Sequence, residues 1–173
     1  GAEGFSESHS DQAHGSQREL NLYVHVPFCR KRCHYCDYSV WTELEPLIPS
    51  YLSAVGREMS LRSPSVYHPA LSLMIGGGSP GLVGPEGLEF LMASCLRNFR
   101  FVDDAEMSLE INPEDVSTEF VRAALRNGVN RISLGVQTLN PYILEVLGRE
   151  HTPEQAREAF LKLSGLGFEN ISV

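Results

Sequence analysis

No stretch of the sequence approaches the roughly 20 consecutive apolar residues that cross a bilayer. No charged start leads into the apolar core of a secretion signal either, so a soluble protein is expected. Basic residues are scarce: 14 Lys and Arg stand against 22 Asp and Glu, for a formal charge of −8. Neutralising a phosphate backbone needs clustered cations, which excludes nucleic acid as a main partner. Cysteine is scarce as well, four residues in 173, and three of them fall between Cys29 and Cys36. A disulfide framework would spread them along the chain, so the expectation is a reducing compartment, cytoplasmic or an organelle matrix, with a metal or cluster on those thiols. Aliphatic residues are nearly missing from the Ser-, His-, Gly- and Glu-rich start, and residues 1–19 read as a disordered tail before one globular unit over 20–173.

What is present beyond the tail is an α/β pattern. With 42% hydrophobic and 21% charged residues the chain can bury a real core. Short runs rich in Val, Ile and Leu predict strands at Leu20–Val26, Leu71–Ile75, Met107–Ile111, Arg131–Val136 and Asn170–Val173. Helical spacing between them predicts helices near Pro49–Arg62, Pro85–Asn98, Ser117–Asn127, Pro141–Leu147 and Pro153–Leu163. Ser117 with Glu119, and Thr152 with Pro153, fit helix starts, while Asn127-Gly128 and Gly165 fit left-handed stops. Right-handed crossovers would curl this βα repeat into a barrel or an open doubly wound sheet. About four βα units cannot close a barrel, so a partial one, truncated in its C-terminal part, is expected.

Cys29-Arg-Lys-Arg-Cys33-His-Tyr-Cys36 follows the first strand directly, at what would be the functional rim of an α/β barrel. Three thiolates can hold three irons of a [4Fe–4S] cubane and leave the fourth open to a small ligand. The alternative is a zinc-stabilised structural module, with His34 or Cys95 completing four ligands. Cys95, inside Phe90-Leu-Met-Ala-Ser-Cys95-Leu, reads better as a small core residue. Further along, Gly76-Gly77-Gly78-Ser79-Pro80 directly follows the second strand and lets backbone approach a ligand closely. Glu110 sits within the apolar third strand, where an unpaired carboxylate would cost several kcal/mol, and therefore needs a partner. Gln137 ends Leu134-Gly-Val-Gln137 and can both donate and accept. Arg149, in Leu147-Gly-Arg-Glu-His151, carries a fork suited to a carboxylate. Arg30, Lys31 and Arg32 make a positive loop that reads as a solvated face or as a steering surface for an acidic electron donor.

Tyr23-Val-His-Val-Pro-Phe-Cys29 with its cysteine loop strongly resembles the radical SAM superfamily, and within it the branch that holds oxygen-independent coproporphyrinogen III oxidases (HemN) and HemW-type haem chaperones. That resemblance implies a partial (β/α)6 barrel holding a [4Fe–4S] cluster on Cys29, Cys33 and Cys36, with S-adenosylmethionine at the open iron. Gly77, Gly78 and Ser79 look like the family's GGGTP segment at the methionine end of the cofactor. Glu110 matches E-x-N-P, Gln137 matches GVQ and Arg149 matches LGR-x-H, each implied to face the cofactor. Tyr23, Tyr35 and Tyr38 are implied as cofactor-facing aromatics, Tyr35 against the adenine. Two residues after Cys36 the oxidases carry a further cysteine, whereas Tyr38 stands here, close to the phenylalanine of the haem-chaperone subgroup. The resemblance therefore points to a haem-trafficking protein acting on haem or porphyrin, with a flavodoxin- or ferredoxin-type donor, and leaves open whether it is itself an enzyme. The alternative is oxidative decarboxylation of coproporphyrinogen III.

Overall fold

The computed structural model describes residues 20–173, and the tail expected over 1–19 lies outside the described residues. Strand and helix alternate: β1 (Leu20–Val26), α1 (Ile48–Arg62), β2 (Ala70–Gly77), α2 (Gly84–Asn98), β3 (Phe101–Ile111), α3 (Thr118–Arg126), β4 (Arg131–Leu134), α4 (Pro141–Leu147), α5 (Pro153–Gly165) and β5 (Ile171–Ser172). All four strand pairings are parallel and the sheet order is β1-β2-β3-β4-β5. Every crossover thus advances to the next position in one direction. A doubly wound sheet needs a reversal, so this order decides for the barrel winding.

Alternation along the strands sorts their residues. Val24, Ile75, Leu109 and Ile132 stand in register across four strands and are buried against the helices. Leu88, Leu91 and Met92 of α2, Phe120 and Val121 of α3 and Leu163 of α5 complete that core. Their neighbours His25, Gly76, Glu110 and Ser133 occupy the opposite, inner face. Cys95 belongs to the helix side: it is 1% exposed, its Sγ lies 3.9 Å from Met59 Sδ, and burial pushes its thiol up to about 12.

Local signals account for most boundaries. Ser117 Oγ accepts from Phe120 N at 3.1 Å, and Thr152 with Gln155 forms a reciprocal capping box. Asn140 Oδ1 accepts from the main chain at the start of α4. Three expectations shift. β3 begins six residues before Met107, because Phe101 and Glu106 pair with β2 on either side of a register shift, and the exposed Asp103 and Asp104 between them hide it from a search for apolar runs. β4 ends at Leu134, because Val136 N donates to Leu134 O and Thr138 N to Val136 O, turning the chain away. The left-handed stop after α5 falls at Gly167 (φ +115°), while Gly165 stays in the helix. Among the described residues no helix is long and apolar enough to cross a membrane.

Candidate functional site

The cysteine loop is fastened at several points before any ligand is considered. Cys29 N donates to Trp41 O at 3.0 Å and Trp41 N to Pro27 O at 2.8 Å, closing its base. Arg30 forms an ion pair with Asp115, whose side chain is 1% exposed. His34 N donates to Leu147 O at 3.0 Å and His34 Nδ1 to Val146 O at 2.9 Å, so this residue caps the last carbonyls of α4. Arg32 reaches the carbonyl of Cys36. Of the three cations read as a positive loop, two are therefore engaged locally, and Lys31 lines the cleft described next.

That cleft, about 200 Å³, opens where the C-terminal ends of β1 to β4 meet the loop. Cys29, Cys33, Cys36, Tyr35, Tyr38, Gly77, Gly78, Ser79, Glu110, Gln137 and Arg149 all line it. Tyr23 does not: its hydroxyl bonds His25 Nδ1 at 3.2 Å at the β1 edge, and burial, then Glu110 and Tyr38, push its phenol up to about 12. The glycine run is bonded onto the cysteine strand, with Gly78 N donating to Val26 O and Ser79 N to Phe28 O, each at 2.7 Å. Glu110 finds the partner its burial demands in Gly77 N, which donates to Oε2 at 2.9 Å. Gly76 makes that possible, because a Cβ there would lie 2.8 Å from Glu110 Cδ. Gly77 itself has φ +115° and faces His25 Nδ1, leaving no room for a side chain. Gln137 also adopts a left-handed backbone, φ +65°, a strained conformation for a residue with a side chain.

Arg149 departs from the expected free fork. Its Nη1 donates to Cys33 Sγ at 3.5 Å, and its Nη2 to Asn112 Oδ1 at 2.7 Å and Gly135 O at 2.8 Å. Its Nε is buried without a partner. Burial works against the guanidinium charge, but Cys33 and Glu114 outweigh it and raise its pKa. Glu114 lies behind, with Oε2 3.5 Å from the fully buried His151 Nδ1. Burial alone would raise its carboxyl; His151, its own backbone and Arg149 reverse that and hold it below the ordinary 4.5. Next to it Asp115 is shifted the other way, up, because burial outweighs Arg30. Burial likewise raises the Cys29 thiol, against the Ser79 hydroxyl and Arg149, and raises the Tyr35 phenol.

Gly76, Asn112, Glu114, Asp115 and His151 were not among the expected site residues. Asn112 and His151 lay inside segments already singled out, E-x-N-P and LGR-x-H; Glu114 and Asp115 carried no signal of their own.

The donor set fits a cubane better than a single ion. His34 is committed to α4 and Cys95 to the core, so neither expected fourth zinc ligand faces the loop. Among the described residues no three His, Cys, Asp or Glu side chains gather close enough for one ion. A cubane does not ask for that, since each thiolate takes a different iron and the sulfurs surround a volume. Backbone approaches closely too: a Cβ on Gly78 would lie 2.9 Å from Cys29 Sγ.

Comparison with known proteins agrees with this reading. The family model described as "Radical SAM superfamily" matches residues 23–173. The haem chaperone HemW of Bacillus subtilis (strain 168) is 37% identical over 155 residues, covering 88% of this chain and 41% of that protein. An oxygen-independent coproporphyrinogen III oxidase of Synechocystis sp. is 36% identical over 133 residues, 75% of this chain and 28% of that protein. The structure of coproporphyrinogen III oxidase (HemN) from Escherichia coli, a radical SAM enzyme, superposes with a TM-score of 0.81 at 31% identity, over 89% of this chain and 36% of that one. The chain spans about two fifths of the length of the HemW relatives it matches.

Proposed function

The chain belongs to the radical SAM superfamily, and from that premise we propose that it serves as a haem chaperone of the HemW type, holding a [4Fe–4S] cluster on Cys29, Cys33 and Cys36 and S-adenosylmethionine in the adjoining cleft. The observation that carries this reading is the convergence of the three thiols with Gly77, Gly78, Ser79, Glu110, Gln137 and Arg149 on one cleft. When bound, the cluster would supply the electron for reductive cleavage of S-adenosylmethionine. Around it, Glu110 offers a carboxylate held in place by Gly77 N, Gln137 offers an amide, and Tyr35 and Tyr38 offer exposed rings. Tyr23 sits at the edge and supports His25, which donates on to Ser39 O. Residues 20–173 are read as the N-terminal part of the barrel domain. The reducing compartment that free thiols imply is the cytoplasm or an organelle matrix. Lys31 is the loop cation left to meet an acidic electron donor of the flavodoxin or ferredoxin kind.

Tyr38 favours haem handling over porphyrin decarboxylation, because it stands where the oxidases carry a further cysteine. The oxidase reading has its own support in the E. coli structure. Anaerobic reconstitution with iron and sulfide tests both. The expected outcome is acid-labile sulfide, 5′-deoxyadenosine after reduction, a haem spectrum on titration and no vinyl product from coproporphyrinogen III. Vinyl product would replace the chaperone by the oxidase, and one zinc per chain without sulfide would sink the cluster.

A further inference from the structure

Two of the three cysteine sulfurs are joined through side chains drawn from three separate parts of the chain. From Cys33 Sγ the path runs to Arg149 Nη1 at 3.5 Å, then from Arg149 Nη2 to Asn112 Oδ1 at 2.7 Å. Asn112 Nδ2 donates to Ser79 Oγ at 3.0 Å, and Ser79 Oγ donates to Cys29 Sγ at 3.9 Å. Every group in this path is used with consistent polarity. The Asn112 amide spends its oxygen on the guanidinium and its NH₂ on the serine, which leaves the serine proton for the sulfur. Pro113 keeps Asn112 extended (φ −89°, ψ 151°), and the side chain is half-buried at the end of β3, between the glycine loop and Arg149.

We propose that Asn112 is a positioning residue that locks Ser79 and Arg149 into one chain of donors aimed at Cys29 and Cys33, and through those sulfurs sets the reduction potential of the cluster. The inference rests on the cluster reading above. Donors to the sulfurs of an iron–sulfur centre tune its potential, because they favour the more negative, reduced form over the oxidised one. Removing them drives the potential down. Asn112→Ala breaks the chain at its middle, freeing Ser79 and Arg149 to turn away, whereas Ser79→Ala removes one donor and Ser79→Thr keeps the hydroxyl.

The test compares the reconstituted wild type with these three variants by iron and acid-labile sulfide content and by a mediated dithionite titration followed by electron paramagnetic resonance. Expected are equal iron and sulfide in all four. The ratio of reduced to oxidised cluster at the wild-type midpoint should fall about tenfold in Asn112→Ala, a shift of about 59 mV for one electron. Ser79→Ala should show a smaller fall of about threefold, and Ser79→Thr should stay at the wild-type value. A wild-type potential in both alanine variants with a full cluster overturns the inference and leaves the cluster reading standing. Loss of iron from both alanine variants overturns it as well, since the chain would then hold the loop rather than tune the potential. A wild-type protein that takes up no sulfide fails the cluster reading itself.

Discussion

The two faces of one sheet divide the labour of this molecule residue by residue. On the helix side Val24, Ile75, Leu109 and Ile132 are between 0% and 7% exposed and belong to one hydrophobic core. One step along each strand, His25, Gly76, Glu110 and Ser133 face inward; Glu110 and Ser133 line the cleft beside the cysteine loop, and Gly76 packs under the Glu110 carboxylate. The hydrophobic effect stabilises the first set; in the second, hydrogen bonds to backbone hold His25 and Glu110. Strand alternation keeps the two apart, so a fold-stabilising residue and a ligand-facing one can be adjacent in sequence without sharing a partner.

Leu109 and Glu110 give the sharpest contrast. Leu109→Ala removes a fully buried side chain and should cost about 3 kcal/mol of folding free energy, read as a lower urea midpoint at unchanged slope. Glu110→Gln should leave that midpoint within about 1 kcal/mol and instead weaken S-adenosylmethionine binding about tenfold by calorimetry. Equal losses of stability in the two variants would abolish the division.

Gly76→Ala probes the same line from the other strand. The new Cβ would crowd the Glu110 carboxylate, the far end of a flexible side chain, so the fold should give way by only about 1 kcal/mol. The displaced carboxylate loses Gly77 N, and cofactor affinity should fall severalfold. Unchanged affinity would show that the Glu110 position seen here is not the binding one.

The smallest expected effect concerns Glu114 and Asp115, adjacent carboxyls shifted in opposite directions. Glu114 is held below 4.5, so its ionised form stabilises the fold above that pH, and the contribution fades as pH falls through the lower native value. Glu114→Gln should therefore be less stable than wild type at pH 7, with the gap closing toward pH 3. Asp115 is raised above 3.8, so wild type should gain on Asp115→Asn as pH falls. Thermal midpoints across that range check both signs; parallel curves for the two variants would remove the distinction.

Much of the fold was legible because its signals are short-range. β1 and α4 sit where apolar runs and a Pro start place them, and Ser117 and Thr152 cap as their residue types require. β3 was half hidden because only Phe101 and Glu106 of its first half pair with β2 and the two aspartates between them are exposed, which gives no apolar run to find. Among site residues the cysteines, the glycine run, Glu110 and Gln137 were visible as chemistry out of place in apolar strands or tight turns. The roles of Asn112, His151 and Gly76 were not, since each depends on a partner 33 or more residues distant or, for His151, on a buried carboxylate with no motif.

By itself the sequence determined the βα order, the place of three thiols after the first strand and the resemblance that names their ligand. Those follow from local periodicity, residue type and spacing. Only the tertiary structure decided that His34 caps α4 instead of facing a metal, and that Arg149 turns its fork to Cys33 and Asn112. Such outcomes rest on which distant segments share a rim, and no local preference encodes that.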